Sequence, residues 1–99
     1  MYRTVITLTR PDLDTPFHDE FVEEELAHIQ SAYIDTGKIV SIVKTESEDK
    51  LVMTTVRTYL DEETQAEWMC DPVLIVRRVE RREAQASCYI MREMHAETV

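Results

Sequence analysis

The 99-residue chain has one glycine, three prolines and no asparagine. So few turn-forming residues leave little room for long loops and point to mostly regular structure. Its two cysteines, Cys70 and Cys88, follow no secretory pattern, because MYRTVITLTRPD has no basic segment leading into an apolar one. They read as reduced cytosolic thiols rather than as a disulfide framework. No apolar run approaches the ~20 residues needed to cross a bilayer. Positive charge is also scarce. Eleven Lys and Arg face 20 Asp and Glu, for a net charge of −9. Phosphate backbones and anionic membranes repel such a chain, so neither nucleic acid nor membrane is an expected partner. There is no repeat, linker or low-complexity stretch. These absences together predict a complete cytoplasmic chain forming one domain over residues 1–99.

Hydrophobic residues make up 43% of the chain and charged residues 31%, the proportions of a folded protein. The β-branched run Tyr2–Thr9, closed by Arg10-Pro11, predicts a strand. Thr15 and Pro16 look like the cap and first residue of a helix. An apolar stripe follows at Phe17, Phe21, Val22, Leu26, Ile29, Tyr33 and Ile34, and Gly37 stands where a left-handed cap would end it. Lys38–Glu46 and Lys50–Tyr59 read as a hairpin around Ser47-Glu48-Asp49. Asp61 can cap a short helix over Glu62–Cys70. Asp71-Pro72 then breaks the helix, and a second segment runs to about Ala86. Ser87–His95 reads as the last strand. The order strand, helix, strand, strand, broken helix, strand predicts an α+β, ferredoxin-like βαββαβ fold, with a four-stranded antiparallel sheet and its helices on one face.

The strands carry apolar residues on both faces, for example Tyr2, Ile6 and Leu8 against Val5, and Val40 and Ile42 against Ile39 and Val43. A second face of that kind needs a cover. The economical cover is a second copy, giving a homodimer packed sheet on sheet. Threonines at positions 4, 7, 9, 54, 55 and 58 dilute the pattern and suit a half-wet cavity equally well.

The stretch YLDEETQAEWMCDPVLIVRRVERREAQA, from Tyr59 to Ala86, combines an aromatic-bearing helix, an Asp-Pro break and an Arg-rich continuation before the last strand. With the element order it resembles the dimeric α+β barrel proteins, especially the small antibiotic-biosynthesis-monooxygenase-like domains. That resemblance implies a range of roles: cofactor-free oxygenation of polycyclic phenols, haem degradation, isomerisation, or no known activity. The haem-degrading members use an Asn, a Trp and a proximal His, and the absence of asparagine speaks against that route. No cofactor is expected.

Trp68, Tyr59, Tyr33 and His18 are the residues expected to line a pocket between sheet and helices. Trp68 is large, amphipathic and unique, although a core anchor on the sheet would explain it as well. His18, near Asp14 and Asp19, has the surroundings of a general base, but a polar place in a first helical turn is the simpler reading. Glu25 and His28 have the Glu-x-x-His spacing of a metal-binding helix. A lone copy of that motif reads instead as a solvated face, so no metal is expected. Cys70 reads as a buried thiol, and His95 as a surface or dimer-contact residue. Arg77, Arg78, Arg81 and Arg82 form two adjacent rows on one helical side, with Val73, Val76 and Val79 on the other. They are the candidate interaction surface. They read most simply as the wet face of an amphipathic helix, or alternatively as partners of the acidic start of the first helix, within a dimer or between dimers.

Two functions compete on these residues. One is a binding or structural module working as a dimer. The other is a cofactor-free monooxygenase-like enzyme acting on a small aromatic or phenolic ligand. The second requires a real cavity with an ionisable group inside.

Overall fold

The computed structural model describes residues 1–99. Strand β1 (Tyr2–Thr9) lies between β3 (Val52–Tyr59) and β4 (Met91–Thr98), and β2 (Ile39–Glu46) forms the far edge beyond β3. All three pairings are antiparallel. Helix α1 (Glu23–Ile29) continues through wider turns over Gln30–Ile34. Helices α2 (Glu62–Cys70) and α3 (Pro72–Ser87) meet at Asp71. The sheet order β2-β3-β1-β4 is that of the ferredoxin-like fold. No helix is long and apolar enough to cross a membrane.

The first helix starts later than its sequence suggests. Thr15 caps nothing, and its amide and hydroxyl both donate to Asp12 Oδ1 in a tight loop. Residues 16–22 stay non-helical because other elements claim their groups. The Gln85 amide on α3 donates to the carbonyls of Phe17 and His18, which a helix would use internally. Phe17 is buried with Leu8 and Ile90, and His18 sits at φ 54 in left-handed backbone. Helix α1 begins only at Glu23, where the Glu25 carboxylate accepts the orphan amide of Val22.

Other boundaries move for equally local reasons. Asp61 caps α2 by accepting from the Thr64 amide, and Asp71 caps α3 by accepting from the Val73 amide, with Pro72 first in that helix. α3 ends in a paired closure in which the Tyr89 amide donates to Ala86 and the Ile90 amide to Gln85. Tyr89 takes the left-handed position at φ 59, so β4 begins at Met91 rather than at Ser87. Lys50 at φ 61 likewise holds β3 back to Val52. A bulge between Ile39 and Ser41 puts Ile39 and Ile42 on the same, core-facing side of β2 and leaves Val40 and Val43 exposed. The alternation expected for β2 is therefore broken.

The main core joins Ile29, Tyr33, Ile39, Tyr59, Trp68 and Leu74, and a smaller one joins Leu8, Phe17 and Ile90. The open sheet face carries fewer apolar groups than expected. One row runs Val43, Val56, Val5 and His95 across the four strands. The next runs Thr45, Thr54, Thr7 and Glu93, and on the other side Arg3 pairs with Glu97 across β1 and β4. Cys70, expected to be buried, is exposed at the end of α2.

Candidate functional site

Alternation along β3 turns Met53, Thr55, Arg57 and Tyr59 toward the helices. Beside them, between the sheet and α2–α3, is a cavity of about 90 Å³. Trp68 stands at its edge, 2% exposed. It packs edge-on against Tyr33, Phe21 and Tyr59, with centroids 5.1, 6.2 and 6.3 Å away. The Arg57 guanidinium lies 4.4 Å from the centre of its ring. Trp68 is thus both a core anchor and a lining residue.

Arg57 is itself buried. One terminal nitrogen donates to the Tyr59 hydroxyl at 3.1 Å, and Nε has no partner. The Thr4 hydroxyl, also on the lining, is buried without a partner. From α3, Arg78 reaches back to donate to the carbonyls of Met69 and Trp68 at 2.9 and 3.0 Å, closing the C-terminus of α2. Arg81 forms a two-pronged bond with Glu25 at 2.6 and 3.0 Å. Arg82 and, from β4, Arg92 complete the basic lining. Lys44 and Asp19 pair with each other at 2.8 Å within the lining. Desolvation at the cavity wall, reinforced by Arg82, Arg57 and their neighbours, holds half-buried Arg78 below the usual guanidinium range, and the same causes lower Arg92, although its side chain as a whole remains solvent-exposed.

The structure separates the four expected pocket residues. Trp68 and Tyr59 line the cavity. Tyr33 does not, and its hydroxyl donates instead to Asp71 Oδ2 at 2.6 Å. Burial first, and then that bond to a carboxylate, pushes the Tyr33 phenol far above its ordinary value. His18 borders a different, more open hollow with Phe17 and Arg10, and its Nε2 lies 3.5 Å from Cys88 Sγ. Seventy positions separate His18 and Cys88, so no local spacing announces their meeting.

The arginine rows also depart from the wet-face reading. Arg77 remains exposed beside Glu80 at 3.3 Å. Arg78 and Arg81 turn inward, Arg82 is exposed yet borders the cavity, and Val76 and Val79 face solvent, 61% and 51% exposed. Glu25 is 1% exposed and not part of a solvated face. Of the alternative reading, arginines meeting the acidic start of the first helix in or between dimers, the structure has one contact, Arg81 with Glu25, and it forms inside a single chain. His28 turns instead to Asp71 Oδ2, 2.6 Å away. The reasoning from sequence missed Arg57 and Arg92. Strand alternation was the available signal, since each shares a side with apolar neighbours, Tyr59 and Met94, that face the helices.

Solved structures with this arrangement complete the picture. A candidate antibiotic biosynthesis monooxygenase from Deinococcus radiodurans superposes over 100% of this chain and 92% of its own, with a TM-score of 0.66 and 12% identity. A dimeric ferredoxin-like protein from an uncultured marine organism matches over 99% and 93%, with a TM-score of 0.59 and 8% identity. This chain has the fold of the antibiotic-biosynthesis-monooxygenase-like domains. The Streptomyces coelicolor monooxygenase ActVA-Orf6, solved with nanaomycin D, shares that fold over 99% of this chain and 88% of its own, with a TM-score of 0.52 and 14% identity. No protein-family model matches the chain. No characterised protein matches it by sequence.

Proposed function

We propose that this chain is a homodimeric binding module that takes a small molecule into the cavity beside Trp68. The observation that carries this reading is the chemistry of the lining. It is rich in guanidinium groups and carries a single carboxylate, Asp19, already paired with Lys44. No imidazole lines it. Such a wall attracts and orients a ligand but offers no free base to take a proton. The monooxygenase alternative draws less support, because deprotonating a phenol calls for a base that this lining lacks, and the nearby imidazole, His18, borders the separate hollow instead.

The homodimer is supported by the Val43–Val56–Val5 row on the open face, and by a dimeric protein of the same fold. Pairing through that face leaves the cavity, on the helix side, accessible.

Trp68 is the only tryptophan and borders the cavity, so its emission reports occupancy. Titration with a panel of small anions, phenols and neutral aromatics is expected to change that emission saturably for at least one class, in a particle of twice the 11.6 kDa chain mass by light scattering. A flat response across the panel contradicts the binding reading, and a particle of single-chain mass contradicts the dimer.

A further inference from the structure

Arg57, Arg78, Arg82 and Arg92 come from three elements, β3, α3 and β4, yet all border one cavity. None of the four is in an ion pair. Arg81 beside them is matched by Glu25, so the carboxylates near the cavity do not offset the other four. In a chain of net charge −9 this concentration of unmatched cations is not a general excess of base. It costs stability, because the guanidiniums repel one another and Arg57 gives up most of its hydration. Two buried donors remain unused at the cavity wall, Arg57 Nε and the Thr4 hydroxyl. Buried donors of this kind ordinarily find partners.

We infer that the cavity is a binding site for a compact oxyanion carrying at least two negative charges, gripped by Arg57, Arg78, Arg82 and Arg92. This rests on the binding reading above and narrows it to a ligand class. A phosphate group or a short dicarboxylate has the required chemistry. Each presents several acceptor oxygens to planar guanidinium forks and is small enough for about 90 Å³. A single negative charge would leave most of the repulsion in place. Bound there, the anion would accept from Arg57 Nε and from Thr4, and Trp68 would back Arg57 from the far side.

Calorimetric titration of the full chain at low ionic strength, with inorganic phosphate, malonate, acetate and phenol run separately, tests this. Phosphate or malonate should bind once per chain, at least about tenfold more tightly than acetate, and more weakly as salt rises. Arg82 and Arg92 are exposed, so R82Q and R92Q should fold. Each is expected to weaken phosphate or malonate binding by roughly tenfold or more, the loss of one charge-assisted contact. Each should also leave the melting temperature of the ligand-free protein unchanged or raised, since repulsion is relieved. A merely structural arginine would lower it. Phosphate and malonate binding no better than acetate, or binding untouched in both variants, overturns the inference. If phenol alone binds, the ligand class is wrong while the binding module stands. If nothing binds, both fall.

Discussion

At the scale of single residues, two carboxylates, buried Glu25 and half-buried Asp71, hold the helical layer together. Glu25 joins α1 to α3 through Arg81 and closes its own helix start at Val22. Glu25→Ala strands the Arg81 charge among its basic neighbours, so chemical denaturation should show a loss of about 3 kcal/mol. Asp71 gathers Tyr33, His28 and the Val73 amide. Burial alone would raise its pKa, but those hydrogen bonds outweigh it and hold the carboxyl below its ordinary value. Its contribution is therefore present above about pH 4 and is lost as the pH falls through the lowered native value. Tyr33 has the opposite sign. Its native pKa is raised, so its contribution is intact below about pH 10 and declines above it. Tyr33→Phe should cost about 2 kcal/mol at pH 7. In paired denaturation curves, the gap to the parent should close by about 1.4 kcal/mol per pH unit above 10. The burial of Glu25 was not legible. Glu25 lies in a run of three glutamates, and a glutamate reads as solvated unless its arginine, 56 positions away, is known to face it.

At the scale of elements, the punctuation of the chain was legible. Asp61, Asp71-Pro72 and Gly37 ended or opened helices where their backbone chemistry required it. The missed boundaries, Pro16–Val22 and Ser87–Ile90, are set by long-range claims on backbone groups and by Tyr89 in a left-handed position, which a sequence seldom advertises. The orientation of α3 was the larger misreading. Its arginines look like the wet side and its valines like the packed side, but Leu74, Arg78, Arg81 and Gln85 face inward. Periodicity finds a helix's faces without saying which one turns in, and a basic cavity inverts the usual answer. Leu74 is fully buried and Val76 is 61% exposed. Leu74→Ala should accordingly cost about 3 kcal/mol, and Val76→Ser should stay within about 0.5 kcal/mol of the parent. A larger cost for Val76→Ser than for Leu74→Ala in thermal melts would mean that the helix is turned the other way.

At the scale of the whole molecule, element order alone was enough to specify the βαββαβ fold, because strand runs, a hairpin and two helical patterns leave few topologies. A pocket between sheet and helices beside Trp68 and Tyr59 was legible, but its basic lining was not, since that forms from residues spread between Thr4 and Met94. The proposed homodimer makes a separable prediction. Val56 sits in the middle of the apolar row on the open face, away from the cavity. Val56→Glu should give single-chain mass by light scattering, with Trp68 emission unaltered. The claim on which the functional account turns is that the space beside Trp68 is open to solvent and positively charged, within a protein that is negative overall. Quenching of Trp68 emission by iodide and by caesium, compared at low ionic strength, tests it most directly. Trp68 is only 2% exposed, so quenching by either ion is weak, but iodide should quench more strongly than caesium despite the net charge of −9. Caesium quenching as well as iodide, or better, would contradict a positively charged space beside Trp68.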